Sequence, residues 1–189
     1  MKPASRSLQI KKKKAKAGSF QKFILAPKKD RTESKSPGSE AEALQLALRY
    51  LGYRSRSEAE VRQYLLRRGY LPATDKVIEK LRTSHYLDDA AFARSWALAR
   101  AQNNGYGPKR IDQELRSKGI GQPLIREALR ETFDQVDEAE RAKRLLAKRF
   151  KSEDLTEPKA LRRAAAYLQR RGYGGKVIFD LLRYSIEED

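Results

Sequence analysis

VRQYLLRRGY (Val61–Tyr70), IDQELRSKGI (Ile111–Ile120) and AAAYLQRRGY (Ala164–Tyr173) are three versions of one pattern. Each carries an apolar residue, a leucine four later, a basic residue three beyond that, then glycine and an apolar or aromatic residue. The i, i+4 apolar spacing marks one face of a helix, and the glycine marks its stop. A glycine is required there if the chain must turn into left-handed φ/ψ just past the helix, where a Cβ is strained. These glycines stand at 69, 119 and 172, so the pattern recurs every 50 to 53 residues.

The flanking sequence supplies two further helices for each of the three. Leu44, Ala47, Leu48 and Leu51 form a stripe that Gly52 closes, and Ser57 with Glu60 is a capping-box pattern ahead of Val61, Tyr64 and Leu65. Thr74 and Asp75 precede Val77, Ile78 and Leu81; Asp88 and Asp89 introduce a longer helix with Phe92, Ala93, Trp96 and Ala97 that ends near Gly105. Pro108, Pro123 and Pro158 suit helix starts, Asp137 opens another helix, and a last one carries Val177, Ile178, Leu181 and Leu182. With no sustained strand alternation, the fold class expected is all-α. Each three-helix unit is too small to hide its stripe alone, so neighbours must stack. The expected layout is an elongated, curved array of three tandem three-helix repeats at 40–86, 87–135 and 136–189.

Charge separates a fourth region. Residues 1–39 hold ten lysines and two arginines against Asp30 and Glu33, a net of +10 out of +17, and three of the seven prolines. Phe20, Phe23, Ile24 and Leu25 are too few to offset ordering entropy, so a disordered basic N-terminal arm is expected. It lacks the apolar core of a secretory signal, and no apolar run approaches the ~20 residues that span a bilayer. The expectation is a cytoplasmic, monomeric protein with no membrane partner. The excess charge predicts attraction to polyanions.

Three strings carry a family resemblance: GYRSRSEAEVRQYLLRRGY (Gly52–Tyr70), HYLDDAAFARSWALAR (His85–Arg100) and GPKRIDQELRSKGI (Gly107–Ile120). They resemble the RecX family of recombination regulators, in which a Tyr-Leu-Asp-Asp turn is followed by two aromatics and an arginine at four-residue steps. Here those positions are Asp88, Phe92, Trp96 and Arg100. The resemblance runs from about Ala41 to the C-terminus, is weakest in the third unit, and excludes the arm. It implies a modular helical protein that binds RecA and its nucleoprotein filament, lies in the filament groove and restrains ATP hydrolysis and strand exchange. It also implies some affinity for single- or double-stranded DNA, to which the arm would add.

The residues have structural readings beside that functional one. Asp88 and Asp89 sit where a helix N-terminus wants acceptors and negative charge. Phe92 and Trp96 share an apolar stripe. Arg67, Arg68, Lys118, Arg170 and Arg171 precede the stop glycines, where cations answer the helix dipole, although that explains one cation per helix better than doublets. Side chains facing away from the stripes are the better binding candidates: Lys109, Arg110 and Arg116 on one helix, Arg162, Arg163 and Arg170 on another, with Arg54, Arg56 and Arg62 in the first unit. Tyr86, in the turn before Asp88, joins them. Arginine forks bond phosphate and carboxylate equally well, so a DNA track and an acidic protein track both remain open, the former through helix-turn-helix pairs.

Catalysis finds little support. His85 is the only histidine and cysteine is absent, so neither a zinc cage nor a thiolate nucleophile can be assembled. No Gly-x-x-x-x-Gly-Lys-Ser/Thr cradle exists for a nucleotide. A binding protein without catalytic residues, metal or cofactor is expected.

Overall fold

A computed structural model describes residues 39–134 and 137–187; the basic arm lies outside the described residues apart from Ser39. Among the described residues there are nine helices and no strand: α1 (Glu40–Tyr53), α2 (Glu58–Leu66), α3 (Leu71–Thr83), α4 (Asp89–Asn104), α5 (Pro108–Ser117), α6 (Gln122–Asp134), α7 (Glu138–Arg149), α8 (Pro158–Arg171) and α9 (Gly175–Glu187). They fall three to a core. Ala47, Val61, Leu65, Val77 and Leu81 pack together from α1–α3; Phe92, Ala97, Ile111, Leu115 and Ile125 from α4–α6; Ala142, Leu146, Ala164, Leu168 and Leu182 from α7–α9. Leu87, in the turn ahead of α4, belongs to the first core.

Local signals act as the sequence leads one to expect. Ser57 accepts the Glu60 N–H while Glu60 accepts the Ser57 N–H, a complete capping box. Asp88 caps α4 through the Ala91 N–H at 2.8 Å, and Asp137 caps α7 through Ala139. Gly69, Gly119 and Gly172 have φ of 84°, 77° and 87°. Two boundaries differ. Gly52 does not stop α1, which continues to Tyr53. Helix α3 starts at Leu71 rather than after Asp75, because Pro72 occupies its first turn; Thr74 is buried inside the helix and its hydroxyl donates back to the Tyr70 carbonyl at 2.8 Å.

The middle helices α2, α5 and α8 meet end to end through two joints. At the first, the Ser57 hydroxyl, buried at the start of α2, donates to the Lys118 carbonyl at the end of α5 (2.6 Å), and Asp89 of α4 accepts the Glu58 N–H (2.8 Å). At the second, the first turn of α5 meets the end of α8: Gly107 donates to the Arg171 carbonyl (2.8 Å) and Lys109 to the Gly172 carbonyl (3.1 Å). Each joint brings a positive helix N-terminus onto a negative C-terminus, and each satisfies backbone groups that the helices themselves leave unpaired.

Close approach explains two of the repeating glycines beyond their dihedral angle. A Cβ on Gly119 would lie 2.3 Å from the Ala59 Cβ, and one on Gly172 would lie 2.4 Å from the Arg110 nitrogen. Gly69, whose helix end receives no preceding repeat, would meet nothing within 4 Å.

Candidate partner-binding surface

The sequence-derived candidates divide into residues that hold the repeats together and residues that face out. In the first repeat, Arg54 donates to Glu60 at 2.9 Å, Arg56 lies over the Tyr50 ring at 4.1 Å, and Arg62 is shared between Asp75 and Glu58. Their charge is largely answered within the repeat. Arg67 and Arg68 are exposed, the latter over the Tyr64 ring at 4.6 Å.

Lys118, taken from the sequence as a partner-facing cation, lies instead inside the first joint. Its side chain is 15% exposed, with Nζ 3.2 Å from Glu60 and 4.2 Å from the centre of the Trp96 ring. The end of α5 is covered by α2, so this lysine answers a carboxylate and an aromatic face rather than solvent. Asp89 sits in the same joint. Burial pushes its carboxyl above the ordinary value, helped by the neighbouring carboxylates of Glu58, Asp88 and Glu60 and opposed by the Glu58 N–H. Burial acts the same way on Glu60, but the Ser57 N–H, Arg54 and Lys118 outweigh it and hold that carboxyl low. Asp88 is the helix cap, and Tyr86 beside it is 61% exposed.

The double-aromatic motif is packed by polar contacts. Phe92 and Trp96 stack at 5.6 Å; the Trp96 Nε1–H and the Arg100 Nε–H both donate to Glu114 Oε2, at 2.9 and 2.8 Å. Arg100 lies over the Trp96 ring at 4.2 Å. The four-residue steps therefore align one helix face that α5 locks with a single glutamate.

Candidates of the second and third repeats converge. Lys109, Arg110 and Arg170 line one concavity of about 500 Å³ with Gln113 and Gln169, and Arg110 donates to the Arg170 carbonyl at 3.0 Å. Arg162, Arg163 and Arg170 line a second, of about 710 Å³, in which Arg163 pairs with Glu153. Arg116 is exposed but held by Asp112 at 2.7 Å.

A third concavity, of about 790 Å³, adjoins the second through Arg149 and Tyr167 and contains cations not evident as candidates in the sequence: Arg141, Arg144, Lys148 and Arg149 of α7. Their spacing along α7 was the available signal. What it faces, the end of α4 and its Gly105 turn, is set by tertiary packing. Burial pushes the Tyr173 hydroxyl on this wall up to about 12, so it stays a neutral phenol.

Comparison with known proteins places the chain. Three family models match in tandem: the first three-helix domain of RecX at residues 43–81, the second at 88–129 and the third at 136–182. The chain is 37% identical over 149 residues to the regulatory protein RecX of Mycobacterium ulcerans, covering 77% of this chain and 86% of that one. This chain belongs to the RecX family.

A RecX regulatory protein from Bacillus subtilis is 35% identical over 148 residues, covering 76% of this chain and 56% of that longer relative. Among solved structures, the crystal structure of RecX from Lactobacillus salivarius aligns with a TM-score of 0.67 over 79% of this chain and 97% of that one, at 23% identity, a likeness of fold. A second RecX crystal structure aligns at 0.65 with 28% identity over 79% of this chain and 72% of that one. The RecX domains fall on the three helical cores, and the matched residues begin beyond the basic arm. Among the described residues no helix is long and apolar enough to cross a membrane, and no group of three or more acidic or histidine side chains is placed to hold a metal.

Proposed function

We propose that this RecX family member regulates homologous recombination by binding the RecA nucleoprotein filament in its groove, thereby lowering ATP hydrolysis and strand exchange. The observation that carries the reading is the family match over all three repeats. Physical support comes from the division of charge: Arg54, Arg56 and Arg62 of the first repeat are answered by carboxylates within it, whereas Lys109, Arg162 and Arg170 have no carboxylate partner among the described residues. Joined end to end by hydrogen bonds to their helix termini, the repeats form a surface suited to bridging successive subunits and resisting changes in their packing. The action is stoichiometric binding, without catalytic residues or cofactor, by a cytoplasmic monomer. The lysines of residues 1–39 add long-range attraction to DNA phosphates and make DNA a weaker second partner.

Salt separates this reading from direct DNA binding. A protein held by six to ten phosphate contacts loses about 10³ to 10⁵ in affinity between about 50 and 200 mM salt. Affinity for RecA-coated single-stranded DNA should fall far less than affinity for the bare strand. Equal salt slopes for the two would contradict filament recognition.

A further inference from the structure

We propose that the cleft between the second and third repeats is a binding site for single-stranded DNA. One wall is the end of α4 with Asn103, Asn104 and Tyr106; the other is α7 with the end of α8. Five cations line the space of about 790 Å³ and no carboxylate does. Elsewhere on the surface Arg54, Arg62, Lys80 and Arg116 each have an acidic partner. Among the described residues, none of Arg141, Arg144, Lys148, Arg149 and Arg171 pairs with one.

Aromatic rings hold three of the four guanidiniums instead, those of Arg141, Arg149 and Arg171. Arg171 lies over the Tyr167 ring at 4.8 Å and gives one of its N–H groups to the Asn104 carbonyl, and Arg141 lies over Phe133 at 5.5 Å with its Nε buried and without a hydrogen-bond partner. Stacking fixes the guanidinium plane without neutralising it, which leaves N–H edges for a phosphate. Arg141, Arg144 and Lys148 are spaced i, i+3, i+7, so they run about 10 Å along one side of α7. That length spans several backbone charges of a strand.

The cleft selects a single strand. Cations that track a backbone beside aromatic faces and side-chain amides are how unpaired strands are held. A duplex, whose major groove alone is ~12 Å wide, does not enter a cleft of this volume. An acidic peptide would use the cations but leave the tyrosine and asparagine edges without base-like partners. The assignment goes beyond the recombinase reading and needs no recombinase for its test.

The experiment uses the full chain and a fluorescent oligothymidylate. Arg144→Gln with Lys148→Gln is compared with Arg49→Gln with Lys76→Gln, an equal charge change at exposed sites of the first repeat. The cleft pair should weaken binding about tenfold and lower the salt slope by about 1.4, two contacts at ~0.7 each for a single strand; the control pair should change affinity less than threefold. Equal losses in the two variants would overturn the site, as would polyglutamate competing as well as the oligonucleotide. Photo-crosslinking of a 5-iodouracil strand to the unmodified chain provides a second readout, independent of how the variants fold. Adducts at Tyr106 or Tyr167 are expected, and adducts confined to residues 1–38 would refute the proposal.

Discussion

Lys109 donates its backbone N–H to the Gly172 carbonyl at 3.1 Å, so the first turn of one repeat's middle helix sits on the glycine that caps the next repeat's middle helix. Where α2 meets α5 the ends join through the Ser57 hydroxyl, which donates to the Lys118 carbonyl, and this stacking makes the three stop glycines unequal. All three carry positive φ, but only Gly119 and Gly172 are also pressed by a neighbouring repeat. Gly69→Ala should cost about 1 kcal/mol, the strain of a Cβ in the left-handed region. Gly119→Ala and Gly172→Ala should each cost about 2 to 4 kcal/mol, since the joint must open as well. Urea unfolding of the three variants checks the order. Three equal losses would mean that the joints contribute nothing.

Asp89 separates charge from hydrogen bonding. Its folded carboxyl titrates above the ordinary 3.8, so the ionised form is disfavoured in the fold and its effect on stability worsens as pH rises from 3.8 through the raised value. Asp89→Asn keeps an acceptor for the Glu58 N–H and removes the repulsion. It should be neutral or slightly stabilising at pH 7, whereas Asp89→Ala should lose about 1 kcal/mol by leaving that N–H unpaired. Thermal melts at pH 7 and below pH 4 distinguish the two.

Glu60 has the opposite sign. Its folded pKa lies below the ordinary 4.5, so its contribution is complete above 4.5 and is lost as pH falls through the lowered value. Glu60→Gln should cost about 1 to 2 kcal/mol at neutral pH, since it weakens the capping box and strips Lys118 of its partner. The gap between parent and variant should close below the ordinary value. A gap independent of pH would show that shape, not charge, matters there.

His85 stands just past the end of α3 with φ of 58°, among the described residues the one non-glycine with positive φ; the Tyr86 N–H donates past it to the Leu81 carbonyl at 2.8 Å. His85→Gly should therefore stabilise the protein by about 1 kcal/mol. A rise in Tm checks this, and a fall would mean that the imidazole makes a contact worth more than the backbone strain.

Much of the fold was legible because helices announce themselves locally. Apolar spacing, the Ser57–Glu60 box and Asp88 act within one or two turns, and each appears in the structure as the residues predict. The start of α3 was misplaced because Thr74 and Asp75 resemble caps, while Pro72, three residues into the turn after Gly69, is the true start signal. The joints were invisible. Ser57 and Lys118 are 61 residues apart, and Arg171 and Asn104 are 67 apart. No periodicity reports such pairs. For the same reason the sequence could not tell an arginine answered by a carboxylate, such as Arg62, from an unanswered one, such as Arg170.

RecA-dependent ATP hydrolysis on single-stranded DNA tests the central claim most directly. Added at amounts well below those that saturate the DNA, the full chain should lower the hydrolysis rate and strand exchange with it, and a chain starting at Ser39 should still do so after losing affinity for free DNA. Unchanged hydrolysis by RecA, at protein concentrations that do bind the DNA, would contradict the account.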